Sequence, residues 1–246
     1  GIAAGLASTG KVVFMSSFAM FAAGRAFEQI RNSIAYPKLN VKIGATHGGI
    51  SVGEDGATHQ CNEDFALMRS IPNMTIICPA DDVEAKAAVK AAYEYCGPVY
   101  LRFGRLAVPV INDESYEFTW GKGVTLREGT DATIIANGLM VNEALIAADT
   151  LKAEGINVRV INMHTIKPID EEIIIKAAKE TPFILTAEEH SVYGGLGDEV
   201  SRVVCENCPT KVVRVGVEDK FGQSGPALEV LKLYGLSAEA IAKKIK

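Results

Sequence analysis

"VKIGATHGGISVGEDGATHQ", Val41 to Gln60, joins a short β-rich run directly to a loop that holds much of the chain's unusual polar chemistry. VKIGAT predicts a strand. The residues after it predict no helix, because glycines recur at 48, 49, 53 and 56. The loop carries His47, the adjacent acids Glu54 and Asp55, and His59. Gly53 and Gly56 let the backbone turn tightly and approach a ligand, while Asp55, His59 and His47 supply an anion, donors and proton-transfer capacity. The bland alternative is that the acids form Asx turns and the histidines are satisfied locally. Position favours chemistry: in open α/β sheets ligands bind beyond the carboxyl ends of strands, which is where this loop begins.

Working outward, the chain starts in the Ala-rich "GIAAGLASTG", which has no methionine and reads as the middle of a helix, so a segment upstream of it is expected. "KVVFMS" predicts a strand and "AMFAAGRAFEQIRNSIAY" a helix, with Phe18, Phe21, Ile30 and Ile34 falling roughly on one side. Beyond the loop come a short helix near Glu63 to Arg69, the strand "MTIICPA", the helix "DDVEAKAAVKAAYEY" capped by Asp81 or Asp82, and the strand "PVYLRF". Periodicity is lost from Arg105 to about Gly121, where Pro109, Asn112 and Asp113 mark a linker. The strands "DATIIANG", "NVRVINMHT", "PFILTAEEH" and "KVVRVG" then recur about every 25 to 30 residues, each followed by a helical stretch, as repeated βα units require. The fold class expected is α/β, with two consecutive domains of mostly parallel sheet: residues 1–107, a linker over 108–120, and residues 121–246.

Composition narrows the function. With 246 residues, 48 % hydrophobic and 22 % charged, the chain reads as a folded soluble protein rather than a disordered one. A net charge of −5 with no basic run excludes a nucleic-acid footprint, and no apolar run is long enough for a membrane span. Five scattered cysteines argue for reduced thiols and a cytoplasmic setting. "CENC", Cys205 to Cys208, has no second pair to complete a zinc ribbon, and "NMT" at Asn73 is no useful glycosylation site in that setting. "GLASTGKV" differs from a P-loop at its last position, and its context is inverted: helix precedes and strand follows. "GGLG" at 194–197 lacks the spacing of a dinucleotide fingerprint.

"GEDGATHQ", followed by "RSIPNMTIICPAD" and then "GPVYLRFGR", resembles the transketolase family of thiamine-diphosphate enzymes, and the likeness runs over residues 1–246. It implies a pyrimidine-binding domain, truncated at its amino terminus, followed by a carboxy-terminal domain, as in the second half of a split transketolase. The "THQ" favours transketolase over deoxyxylulose-phosphate synthase.

The resemblance implies roles. Phe18 and Phe21 in "SSFAMF" would line the pocket of the cofactor's aminopyrimidine ring, Phe21 being the better stacking candidate, although both suit the core of an amphipathic helix. Gly24 stands where relatives often carry a third aromatic. Asp55 would bond a sugar hydroxyl and His59 would face the reacting carbonyl or alkoxide, as catalytic residues. His47 and Arg105 would hold the distal phosphate, with Arg102 as the competing arginine. His190 and His164 would be structural. Thiamine diphosphate would be shared with an amino-terminal, diphosphate-binding subunit, on which Mg2+ is expected. The family's activating glutamate is expected about five residues before the point matching Gly1. Self-association and sugar-phosphate substrates complete the expectation, and a lone half should be silent. Three alternatives stay open: a deoxyxylulose-phosphate synthase-like subunit, a 2-oxo acid dehydrogenase β-like subunit, and a non-catalytic assembly or binding subunit.

Overall fold

The computed structural model describes residues 1–246. Its framework is two five-stranded sheets. The first takes β1 (Val13–Phe18), β2 (Val41–Thr46), β3 (Thr75–Ile77) and β4 (Val99–Arg102) in the order β1-β2-β4-β3, all parallel. Helices α1 (Ile2–Ala7), α3 (Asp64–Arg69) and α4 (Asp82–Glu94) accompany them. The stretch expected as one helix is broken into two π-helical segments, Met20–Arg25 and Ile30–Ala35, on either side of a single α turn, α2 (Phe27–Gln29). Of the two acids proposed to cap α4, Asp81 does so, accepting from the Glu84 amide at 2.8 Å.

The second sheet is built from β5 (Val124–Arg127), β6 (Ala132–Ala136), β7 (Val158–Asn162), β9 (Phe183–Ser191) and β10 (Lys211–Val217), ordered β10-β9-β6-β7-β5. All pair in parallel except the edge strand β5. Helices α5 (Met140–Ala153), α6 (Glu171–Glu180), α7 (Leu196–Asn207), α8 (Ala227–Leu233) and α9 (Ala238–Ile245) connect and cover it. β6, β7 and much of β9 are buried on both faces, which is why they read as continuous apolar runs rather than alternating ones. The expected run of mostly parallel α/β architecture is thus present in both sheets.

The sheets are not separated cleanly along the chain. "NVRVINMHT" reads as one strand in the sequence, but the strand ends at Asn162, and a new short strand, β8 (Thr165–Lys167), crosses to pair antiparallel with β3 at the edge of the first sheet. The Cys78 amide donates to His164 O at 2.8 Å, and Lys167 Nζ donates to Arg69 O and Ile71 O at 2.8 and 2.7 Å. No helix is long and apolar enough to cross a membrane.

Candidate active site

Three adjacent strands of the first sheet, β1, β2 and β4, point their carboxyl ends at one place. Phe18 closes β1, with Phe21 one turn beyond it; His47 follows β2; Arg105 follows β4. Residues far apart in the chain therefore meet at one edge. The Phe18 and His47 rings stack at 3.8 Å between centroids and 11° between planes. Phe18 and Phe21 lie nearly parallel at 6.1 Å, and the His59 ring sets its edge toward Phe21 at 5.3 Å. All four rings are half-buried, so they form a surface rather than core.

The loop reaches this place through turns that need glycine. Gly53 and Gly56 have φ of +84° and +72°, and a single 3-10 turn covers Gly53–Asp55 between them. An antiparallel bridge between Gly49 and Cys61 closes the loop's base. His47 itself is held at φ +59°, in the left-handed region that non-glycine residues enter uncommonly and that asparagine, aspartate and histidine enter most readily.

Both histidines are oriented by the preceding threonine. His47 Nδ1 lies 3.0 Å from Thr46 Oγ1, and His59 Nδ1 lies 2.9 Å from Thr58 Oγ1. Nε2 of each ring is left as the atom that can meet a ligand. The His47 pKa is lowered first by burial and then by the Arg105 charge, with Asp55 pulling weakly the other way. The charges of Asp55 and Arg105 are thus felt at His47, and the Asp55 side chain is exposed.

The two arginines have opposite environments. Arg102 is 2 % exposed; its Nε donates to Asp64 at 3.2 Å and its Nη2 to the Glu189 carbonyl at 2.7 Å. Arg105 stands at the surface, where Nη1 donates to the Val52 carbonyl and lies 3.2 Å from Glu54 Oε2. Glu54, which the sequence leaves without a role, is the partner that Arg105 keeps near the site. At Gly24 a Cβ would lie 2.2 Å from Met20 Cε, so a side chain there would first displace the end of the Met20 chain.

A cleft of about 850 Å³ opens along Phe21, lined also by Met20, Arg25, Thr58, Gln60, Glu63 and the segment 217–222, while Phe18, His47 and His59 lie outside its lining. Arg25 sits 4.5 Å over the Phe21 ring. That ring face already serves a cation, and a heterocycle can take it over. Phe21 therefore fits an aminopyrimidine ring in kind, whereas Phe18 is already stacked on His47. No group of three or more His, Cys, Asp or Glu side chains comes together in a way that could hold a metal ion. His190 and His164 lie away from this surface. Both are fully buried, with pKa values pushed down to about 4 by burial, His190 stacked on Phe65 at 5.0 Å and His164 tilted against Phe118 at 4.5 Å.

Comparison with known proteins identifies the two domains. The profile of the transketolase pyrimidine-binding domain matches residues 1–110, and that of the transketolase C-terminal domain matches residues 121–241. A protein of Methanocaldococcus jannaschii described as a transketolase C-terminal section is 54 % identical over 248 residues, covering 100 % of this chain and 78 % of its own length. A 6-deoxy-6-sulfo-D-fructose transketolase subunit of Clostridium sp. (strain MSTE9) is 44 % identical, over 99 % of this chain and 76 % of the relative. Among solved structures, a split-gene transketolase described as an inactive β4 tetramer superposes with a TM-score of 0.94 at 52 % identity, covering 100 % of this chain and 78 % of that one. A pyrimidine-binding domain and a C-terminal domain in family order, with identity above half over the whole chain, make this protein a member of the transketolase family.

Proposed function

We propose that the chain is one subunit of a split transketolase, which works with a separate diphosphate-binding subunit to move a two-carbon ketol unit from a ketose phosphate to an aldose phosphate. The observation that carries this reading is the meeting of Phe18, Phe21, His47 and His59 at the carboxyl edge of β1, β2 and β4, with Asp55 and Arg105 beside them.

Thiamine diphosphate, when bound, supplies the electron sink that ketol transfer needs; the protein supplies orientation and charge. Phe21, with Phe18 behind it, would take the aminopyrimidine ring. His59 would offer Nε2 to the substrate's carbonyl oxygen and Asp55 would accept from a sugar hydroxyl. His47 and the Arg105 guanidinium would hold the terminal oxyanion, since a guanidinium matches a tetrahedral oxyanion with paired donors. The relative named as a 6-deoxy-6-sulfo-D-fructose transketolase subunit suits such an anchor, because sulfonate and phosphate present similar oxygens. The sugar between anchor and reacting carbon is the variable part. Magnesium and the diphosphate belong to the partner subunit in this scheme, and the neighbour described as an inactive β4 tetramer supports both self-association and the need for that partner.

The test is reconstitution. The gene's full product, mixed with the candidate amino-terminal subunit, thiamine diphosphate and Mg2+, should convert xylulose 5-phosphate and ribose 5-phosphate into the two ketol-transfer products, while either subunit alone should not. Equal turnover from this chain alone, or none from the mixture with any phosphorylated or sulfonated ketose, would overturn the reading. Product formation from pyruvate in place of a ketose would instead identify a deoxyxylulose-phosphate synthase-like subunit.

A further inference from the structure

Gln60 follows His59 directly and is 3 % exposed. Its Nε2 donates to the Ile50 carbonyl and to the Gln223 carbonyl, each at 2.9 Å. Ile50 lies at the start of the loop and Gln223 in the second domain, so one amide gathers both ends of the loop and fastens them to the other domain. The amide's orientation follows from its partners, because a flipped group would set Oε1 against two carbonyl oxygens. Beside it, Gly222 admits no side chain: a Cβ there would lie 1.8 Å from Gln60 Oε1.

The rest of the loop repeats the pattern. Other buried residues also meet the second domain: the Ser51 amide donates to Glu189 Oε1 at 2.6 Å, Gly53 faces Gly225 and Ala227 as well as Arg105, and a Cβ at Gly56 would be 2.4 Å from Ser224 Oγ. Just past the loop, the Ser191 amide donates to the Asn62 carbonyl at 2.7 Å. Between these anchors Glu54 and Asp55 stay exposed and His59 half-buried. A loop whose glycines sit at positive φ has weak conformational preference of its own, so its shape is imposed by what it is fastened to.

We propose that the carboxy-terminal domain positions the acceptor loop, and that Gln60, held across the domain boundary by the Gln223 carbonyl, is the residue through which it sets His59 and Asp55. The inference rests on the acceptor role proposed above for that loop. It gives the second domain a part in the reaction without placing any of its side chains on the substrate.

Four variants of the reconstituted enzyme test it, with hydrogen exchange on this chain as a readout independent of turnover. Gln60→Ala should lower kcat/KM for a phosphorylated acceptor by about ten-fold or more, since a misplacement near 1 Å can cost about a hundred-fold. Cofactor affinity is titrated in parallel, because Gln60 and Gly222 also line the cleft along Phe21, and a loss wholly accounted for by weaker cofactor binding would overturn the proposal. Amides 53–60 should exchange faster while those of the two sheets do not. Gly222→Ala should do the same from the other domain by displacing the Gln60 amide. The double variant should be no worse than Gln60→Ala, because the truncated side chain leaves room for the new methyl, whereas independent damage would add. Gln223→Ala should match the parent, since only its backbone carbonyl takes part. Parental exchange at 53–60 in Gln60→Ala, or additive losses in the double variant, would overturn the proposal. If the parent enzyme shows no ketol transfer, the functional reading falls, and the exchange pattern alone judges the clamp.

Discussion

At the scale of single residues, Arg102 and Arg105 show how three positions separate structure from chemistry. The family resemblance favours Arg105 over Arg102 as the anchor, but nothing local tells that Arg102 is walled in. Its carboxylate partner Asp64 and the Glu189 carbonyl lie 38 and 87 residues away. Arg105→Ala should lower kcat/KM for ribose 5-phosphate by roughly ten- to a hundred-fold, because a hydrogen bond to a charged group is worth about 1.5 to 3 kcal/mol. Glycolaldehyde, which has no phosphate, should be almost indifferent. Arg102→Ala should instead destabilise the fold by about 3 to 5 kcal/mol, since it leaves buried carboxylates unpaired, and denaturant titration of the two variants separates the cases. A selective phosphate effect from Arg102→Ala would exchange the assignments. Glu54 and Gln60 stand inside the family motif itself, yet their functions are invisible in the sequence because each is defined by a partner in a distant segment.

At the scale of elements, strands and helices with strong patterns were legible and short edge pieces were not. VKIGAT, the α4 helix with its Asp81 cap, and the four apolar strands of the second sheet follow from pattern and capping chemistry. β5 and β8 lack a pattern because they are edge strands of four and three residues, defined by pairing alone. Phe18 is expected on one helix face with Phe21, Ile30 and Ile34 but closes β1 instead, and the π-helical turns that follow leave no trace in the spacing of the apolar residues. One element junction has a measurable pH signature. Glu188, near the end of β9, is buried and accepts from the amides of Leu196 and Gly197 at the start of α7, at 2.6 and 2.8 Å. Burial outweighs those bonds and pushes its pKa up to about 7. The folded value then exceeds the unfolded one, so its contribution is fully present below about pH 4.5 and is lost as pH rises through about 7. Between pH 5 and 8 the parent should therefore lose up to about 3 kcal/mol of stability relative to Glu188→Gln. Parallel stability profiles for the two proteins would show that Glu188 is ionised throughout.

At the scale of the whole molecule, the two halves of the chain are tied by one edge strand and one buried polar seam. β8 completes the first sheet from within the second half of the chain, and Arg102, Asp64, Glu189 and Gln60 join the halves beneath the loop. Such halves should unfold together. The single tryptophan, Trp120, packs against Tyr95 at 4.8 Å and so reports on the first sheet and its helix α4, while far-UV circular dichroism reports on both domains. Heat or urea should give superimposable curves by the two probes. Two separated transitions would show that the seam holds the domains together without coupling their stability.

The crossing of β8 also bears on how the protein is made. A chain emerging from the ribosome completes β1 to β4 early, but the antiparallel neighbour of β3 is not translated until β6 and β7 have been. Until then the β3 edge is bare, a ready template for another chain's strand. Ribosome-bound intermediates halted before residue 165 are therefore the species that chaperones should hold, and a gene cut between the two domain profiles would encode a first product with that edge permanently open.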